Sequence, residues 1–102
     1  MAVVGITSYR VNPDATEAHM QWSREVKAFL ERAGASVRLL AAVVAGEATG
    51  RMAFVTEAAD FASIGSITDQ FMTDPQIAAA MAKATSLYSE VSTTQWIEIP
   101  LD

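Results

Sequence analysis

Apolar and polar positions alternate in two rhythms along this chain, and each rhythm predicts an element. Val3 to Val11, VVGITSYRV, is rich in β-branched and aromatic residues and reads as a strand. NPDATE then opens a helix. Asn12 followed by Pro13 suits the cap and first helical positions, while Asp14 with Glu17 three residues on forms a capping-box arrangement as the alternative. His19, Trp22, Val26, Leu30 and Ala33 recur at steps of three and four, with Phe29 beside them, and Arg24, Lys27 and Glu31 fall elsewhere toward solvent. This predicts a helix to about Ala33, stopped by Gly34.

A second strand is expected over Ser36 to Ala45. GEATG, from Gly46 to Gly50, reads as the hairpin connection to a returning strand over Arg51 to Glu57. Phe61, Ile64, Ile67 or Thr68, and Phe71 then keep helical spacing. The TDP step breaks that helix, with Asp74 as cap and Pro75 at the first position of the next. The next helix is expected to carry Ile77, Met81, Ala84 and Tyr88 on one stripe. Val91 to Ile99, VSTTQWIEI, predicts the last strand, ended by Pro100.

Strand, helix, strand, strand, helices, strand is the order of a split βαβ unit. The expectation is an α+β, ferredoxin-like βαββαβ fold in one domain over residues 1–102, with a four-stranded antiparallel sheet and the helices on one of its faces. The sheet's second face is the informative one. Arg38, Leu40, Ala42 and Val44 alternate with Val37, Leu39, Ala41 and Val43, and Met52 and Phe54 alternate with Ala53 and Val55, so neither face is polar along its length. A half-solvated sheet alternates cleanly. A homodimer with sheet packed on sheet is therefore expected. The positive mean hydropathy of +0.21 points the same way, because a small domain has much surface and little interior to hold apolar residues.

Charge and cysteine content remove several function classes. The 102 residues carry seven basic and twelve acidic side chains, a formal charge of −5, and no basic stripe to neutralise phosphates, so nucleic acid and anionic membrane surfaces are not expected as partners. The chain contains no cysteine, which excludes disulfides, thiolate metal sites and cysteine nucleophiles. Its first apolar run is far too short to span a bilayer. A cytoplasmic protein is expected, with no metal and no cofactor: no G-x-G-x-x-G, Walker, H-E-x-x-H or G-x-S-x-G pattern occurs.

Two stretches carry a resemblance. SYRVNPDATEAHMQW is similar to the first strand, turn and helix of the dimeric α+β barrel superfamily, which includes antibiotic-biosynthesis-type monooxygenases, Dabb proteins and NIPSNAP-type domains. GRMAFVTEAADFASIGSITDQFMTDPQIAAAM resembles their third strand, acidic turn and helix broken at Asp-Pro. The likeness spans nearly the whole chain. It implies a pocket within each protomer, between sheet and helices, and chemistry ranging from cofactor-free oxygenation to haem degradation, cyclisation and isomerisation. The catalytic histidine of the haem-degrading and cyclase members lies late in the chain, where this sequence has none.

The chemistry-bearing candidates are few. His19, the only histidine, lies near a helix start, where the dipole disfavours the imidazolium and leaves a neutral base near pH 7. Tyr9 offers a phenol and Arg38 a cation within an apolar strand, making these two the further catalytic candidates. Trp22, Met52, Phe54, Phe71, Met81 and Tyr88 are the expected pocket lining. The plainer reading of each is structural: a lone histidine at a helix rim packs more often than it reacts, and aromatic residues at helical spacing are usually core. Replacing His19 is expected to spare folding. Two functions follow. One is a homodimeric enzyme moving a proton on a small aromatic or polyketide-like substrate by isomerisation, cyclisation or oxygenation. The other is a non-catalytic dimeric domain that binds a hydrophobic ligand or has a purely structural role.

Overall fold

The computed structural model describes residues 2–44 and 46–101. Eight elements follow the chain: β1 (Val3–Val11), α1 (Thr16–Arg32), β2 (Ser36–Ala41), a 3-10 turn (Gly46–Ala48), β3 (Met52–Ala58), α2 (Phe61–Thr73), α3 (Pro75–Leu87) and β4 (Tyr88–Ile97). The strands form one antiparallel sheet in the order β2-β3-β1-β4. This is the ferredoxin-like α+β arrangement that the element order predicts.

β1 lies between β3 and β4, and its alternation sorts the whole sheet into two faces. Val3, Gly5, Thr7 and Tyr9 stand opposite Ala58, Thr56, Phe54 and Met52 of β3, and Val3, Gly5 and Thr7 stand opposite Ile97, Gln95 and Thr93 of β4. Val37 and Leu39 of β2 continue the same face. Against it pack Trp22, Val26, Phe29 and Leu30 of α1, Ile67 of α2, and Ile77, Ala80, Ala84 and Leu87 of α3. The second face carries Val4, Ile6, Ala53, Val55, Leu40 and Trp96, outside the core that the helices cover; Val55 is buried, but Leu40 is 49% and Trp96 60% exposed.

Local signals explain the helix ends. α1 stops in a Schellman arrangement: Gly34 N–H donates to the Glu31 carbonyl at 3.1 Å and Ala35 N–H to the Leu30 carbonyl at 3.0 Å, with Gly34 at φ 106°. The Asp-Pro step splits the second helical region as predicted. Asp74 Oδ1 accepts from the N–H groups of Gln76 and Ile77, and Pro75 opens α3. Asp60 caps α2 in the same way, accepting from Ser63 N–H at 2.7 Å.

Three expectations need correction. Neither Asn12 nor Asp14 caps α1; its cap residue is Ala15, with no side-chain bond. Asn12 instead ties β1 to the end of α3: its N–H donates to the Leu87 carbonyl and its Nδ2 to the Ser86 carbonyl. Tertiary partners outcompete the local cap. β2 ends at Ala41, and Ala42 closes the hairpin, its N–H donating to the Arg51 carbonyl while its own carbonyl accepts from Gly50 N–H; Ala45, the expected strand end, lies outside the described residues. Tyr88 is not helical. Its N–H donates to the Ala84 carbonyl as the last bond of α3, and the residue then pairs with Val11 as the start of β4.

An ionic clip holds the far end of the sheet. Arg10 Nε pairs with Glu90 at 2.8 Å, and its two terminal nitrogens donate to the carbonyls of Glu47 and Thr49. Arg51 donates to the Glu90 carbonyl and to Ser8 Oγ. Glu90 sits at φ 55°, in the irregular stretch where the β1–β4 register shifts between Ser8 and Arg10.

Candidate functional site

A cavity of about 380 Å³ opens between the inner sheet face and the helices. β1 and its neighbours supply a floor of Gly5, Thr7, Phe54, Thr56, Thr93 and Gln95; α2 supplies Ile64, Ile67, Thr68 and Phe71; Trp22, Val26, Leu30 and Met81 close it from α1 and α3. Tyr9, Tyr88 and Val91 complete the lining. Its volume falls in the ordinary range for small-molecule sites. No charged side chain lines it among the described residues. Among those residues there is also no cluster of histidine and carboxylates suited to a metal.

Of the expected lining residues, Trp22, Phe54, Phe71, Met81 and Tyr88 all border this cavity. Met52 does not: it stands opposite Tyr9 in the β1–β3 register and packs against the core beyond the cavity. Arg38 stands opposite Val55, on the face that α1 does not cover, while its neighbours Val37 and Leu39 face the core. The strand's two-residue period puts the whole sheet between Arg38 and the cavity. Arg38 is therefore withdrawn as a catalytic candidate.

Tyr9 and His19 come together. The Tyr9 hydroxyl lies 2.7 Å from His19 Nε2, and Ser23 Oγ, one helical turn beyond His19, lies 3.4 Å from the same nitrogen. Both Tyr9 and His19 are fully buried. Tyr88 stacks on Tyr9 with 4.3 Å between ring centroids, and His19 stacks on Trp22 at 5.9 Å. Trp22 is itself fixed, its indole N–H donating to the Ala80 carbonyl at 2.9 Å. Tyr9 borders the cavity; His19 lies behind it and does not.

Burial sets the electrostatics of the pair. It pushes the Tyr9 phenol up to about 12, partly offset by the hydrogen bond with Ser23, and the nearby Tyr88 phenol raises it a little further. Burial likewise lowers the pKa of His19, so the imidazole is neutral at pH 7. His19 Nδ1 is buried with no hydrogen-bond partner. With the imidazole proton on Nδ1, Nε2 accepts from the Tyr9 hydroxyl and a buried N–H goes unpaired. With the proton on Nε2, it donates to the Tyr9 oxygen and a lone pair goes unpaired.

The sequence pattern missed Ser23, which sits at i+4 from His19 on the buried stripe, and the polar floor of Gly5, Thr7, Thr56, Thr93 and Gln95. The period-2 succession Gly5, Thr7, Tyr9 was the available signal, since it places all three on one face of β1.

The fold has close counterparts among solved structures. A NIPSNAP-like domain protein from Burkholderia xenovorans superposes with a TM-score of 0.78 at 10% identity, covering 99% of this chain and 88% of that one. A putative antibiotic biosynthesis monooxygenase from Deinococcus radiodurans gives 0.74 at 9% identity, with coverage of 98% and 95%. Rv0793 from Mycobacterium tuberculosis gives 0.70 at 16% identity, with coverage of 100% and 97%. The chain thus has the ferredoxin-like fold shared by NIPSNAP-domain and monooxygenase-like proteins. No protein-family profile matches it, and no curated protein does. Among the described residues no helix is long and apolar enough to cross a membrane.

Proposed function

We propose that this domain works as a homodimer on a small aromatic or polyketide-like molecule, held one per protomer in the cavity, and that it moves a proton on that molecule without a bound cofactor. The observation that carries the reading is the placement of the Tyr9 hydroxyl: on a residue of the cavity wall, 2.7 Å from a buried neutral histidine. In the tautomer with Nε2 unprotonated, the phenol oxygen takes a proton from an acidic ligand C–H as it hands its own to His19 Nε2. The products are the ligand enolate and an imidazolium, and reversal returns the proton. Tyr9 is the group that would touch the ligand; His19 would act through it.

The test uses 2-tetralone in D₂O. Exchange of its acidic C–H protons, followed by NMR, should be accelerated by the wild-type protein. Tyr9→Phe should lose about a hundredfold or more of that acceleration, in the range typical of general acid–base groups. Saturable binding of 2-tetralone with no accelerated exchange would sink the catalytic part.

A second reading is favoured by one observation. Tyr9 and His19 are both sealed from water, which suits a purely structural hydrogen bond beneath a non-catalytic hydrophobic-ligand site. Binding without exchange is the outcome that reading expects.

A further inference from the structure

Gly5 occupies the middle of the central strand, where glycine weakens the element by roughly 0.5–1 kcal/mol relative to alanine. Nothing in the fold demands it. Its φ is not in the left-handed region, and a Cβ built there would meet only the Thr56 carbonyl oxygen, at an ordinary 3.8 Å. What the missing side chain supplies is open space at the cavity floor, the usual meaning of a strand glycine where a ligand approaches the backbone closely. The residues around this notch are polar. Thr56 of β3 and Gln95 of β4 flank Gly5 on its own rung of the sheet, and all three line the cavity. On the adjacent rung the Thr7 and Thr93 hydroxyls hydrogen-bond each other at 3.2 Å. One hydroxyl donates to the other, so the accepting hydroxyl keeps its own proton to offer a ligand.

We propose that the Gly5 notch, with the Thr7–Thr93 pair, Thr56 and Gln95 around it, seats the polar edge of the ligand and selects an uncharged aromatic carrying a hydroxyl or carbonyl. This rests on the small-molecule reading above and adds the ligand's class and orientation. The apolar body lies toward Ile64, Ile67, Phe71 and Met81; the oxygen lies on the sheet. Carboxylates and ammonium groups are rejected, because the lining holds no counter-charge and a charge taken from water without one is costly.

The experiment is equilibrium dialysis at pH 7 with 2-naphthol, naphthalene and 2-naphthoate. The wild-type protein should bind 2-naphthol about five- to tenfold more tightly than naphthalene, the worth of roughly one hydrogen bond, and 2-naphthoate more weakly than either. The Thr7→Val/Thr93→Val double variant should erase the naphthol preference while keeping naphthalene. Gly5→Ala should fold with an unchanged or raised melting temperature and bind 2-naphthol about tenfold more weakly as the notch fills; Gly5→Val should bind it more weakly still. Equal affinity for 2-naphthol and naphthalene, 2-naphthoate binding as tightly as 2-naphthol, or undiminished naphthol binding by folded Gly5→Ala would each overturn the proposal while leaving a small-molecule site in place. Absence of saturable binding for all three probes would overturn the small-molecule reading itself, and this proposal with it.

Discussion

The Tyr9 hydroxyl and His19 Nε2 lie 2.7 Å apart in a layer sealed from water, joining the central strand to α1. That burial changes the expected cost of touching either residue. His19→Ala leaves a cavity and an unpaired phenol, so it should destabilise by about 2–4 kcal/mol rather than spare folding. Tyr9→Phe should cost about 1–3 kcal/mol by stripping His19 of its partner. Urea unfolding of both variants and the double variant should reveal a coupling of about 1 kcal/mol. Strictly additive costs would mean that the hydrogen bond contributes nothing.

Alkaline pH should unfold the protein through its tyrosines. The folded Tyr9 phenol keeps its proton to about 12, whereas an unfolded one releases it near 10; Tyr88 is raised in the same direction by burial. A raised folded-state pKa contributes stability that is full below pH 10 and is lost as pH rises through the folded value. Ultraviolet titration should therefore show little phenolate before unfolding begins, since Tyr9 and Tyr88 are the only tyrosines in the chain. Reversible ionisation near 10 with the fold intact would contradict the burial of both.

On the acid side the sign reverses in mechanism but not in outcome. His19 has a folded pKa below its ordinary 6.5 because burial penalises the imidazolium. The unfolded chain takes up the proton first, so this contribution is present above 6.5 and is lost as pH falls below it. No other histidine titrates in this window. The wild-type protein should lose stability between pH 7 and about 5, and His19→Gln should flatten that slope in urea melts. Equal slopes for the two proteins would refute the assignment.

The uncovered sheet face predicts self-association. Leu40 and Trp96 are exposed on it beside the half-buried Ile6, with Arg38 and Glu57 among them. Sedimentation should give a dimer for the wild-type protein and a monomer for Leu40→Asp combined with Ile6→Asp, because a desolvated, unpaired carboxylate on each strand opposes sheet-on-sheet contact. A wild-type monomer at micromolar concentration would exclude the homodimer.

Asp74 makes the helix break a measurable feature. Its carboxylate accepts from two N–H groups at the start of α3. Asp74→Ala should cost about 1 kcal/mol, and Asp74→Asn a fraction of that. Equal losses in the two variants would point to charge rather than capping as the source.

Much of this architecture is legible in order and period alone. The strand–helix–strand–strand–helix–helix–strand succession, the Gly34 stop and the Asp74–Pro75 break all rest on interactions within a few residues, and short-range signals report short-range causes. The buried stripe of α1 from His19 through Trp22 to Leu30 is likewise a matter of helical geometry. The helix start is not legible locally, because Asn12, a good cap by type, is taken by backbone groups near the end of α3, 74 residues away for its Ser86 bond.

Which residues border the cavity was decided elsewhere. Which sheet face the helices cover is a long-range choice, and it removed Arg38 from the cavity by the alternation of a single strand. The meeting of Gly5 with Thr56 and Gln95 depends on antiparallel registers, which in the case of Gln95 reach 90 positions along the sequence, and that of Tyr9 with His19 depends on α1 packing back over β1. By itself the sequence determined the elements and their apolar faces, because propensity and periodicity act locally. Only the tertiary structure decided which polar groups share a desolvated space, because that follows from pairing register and layer packing, which no local window contains.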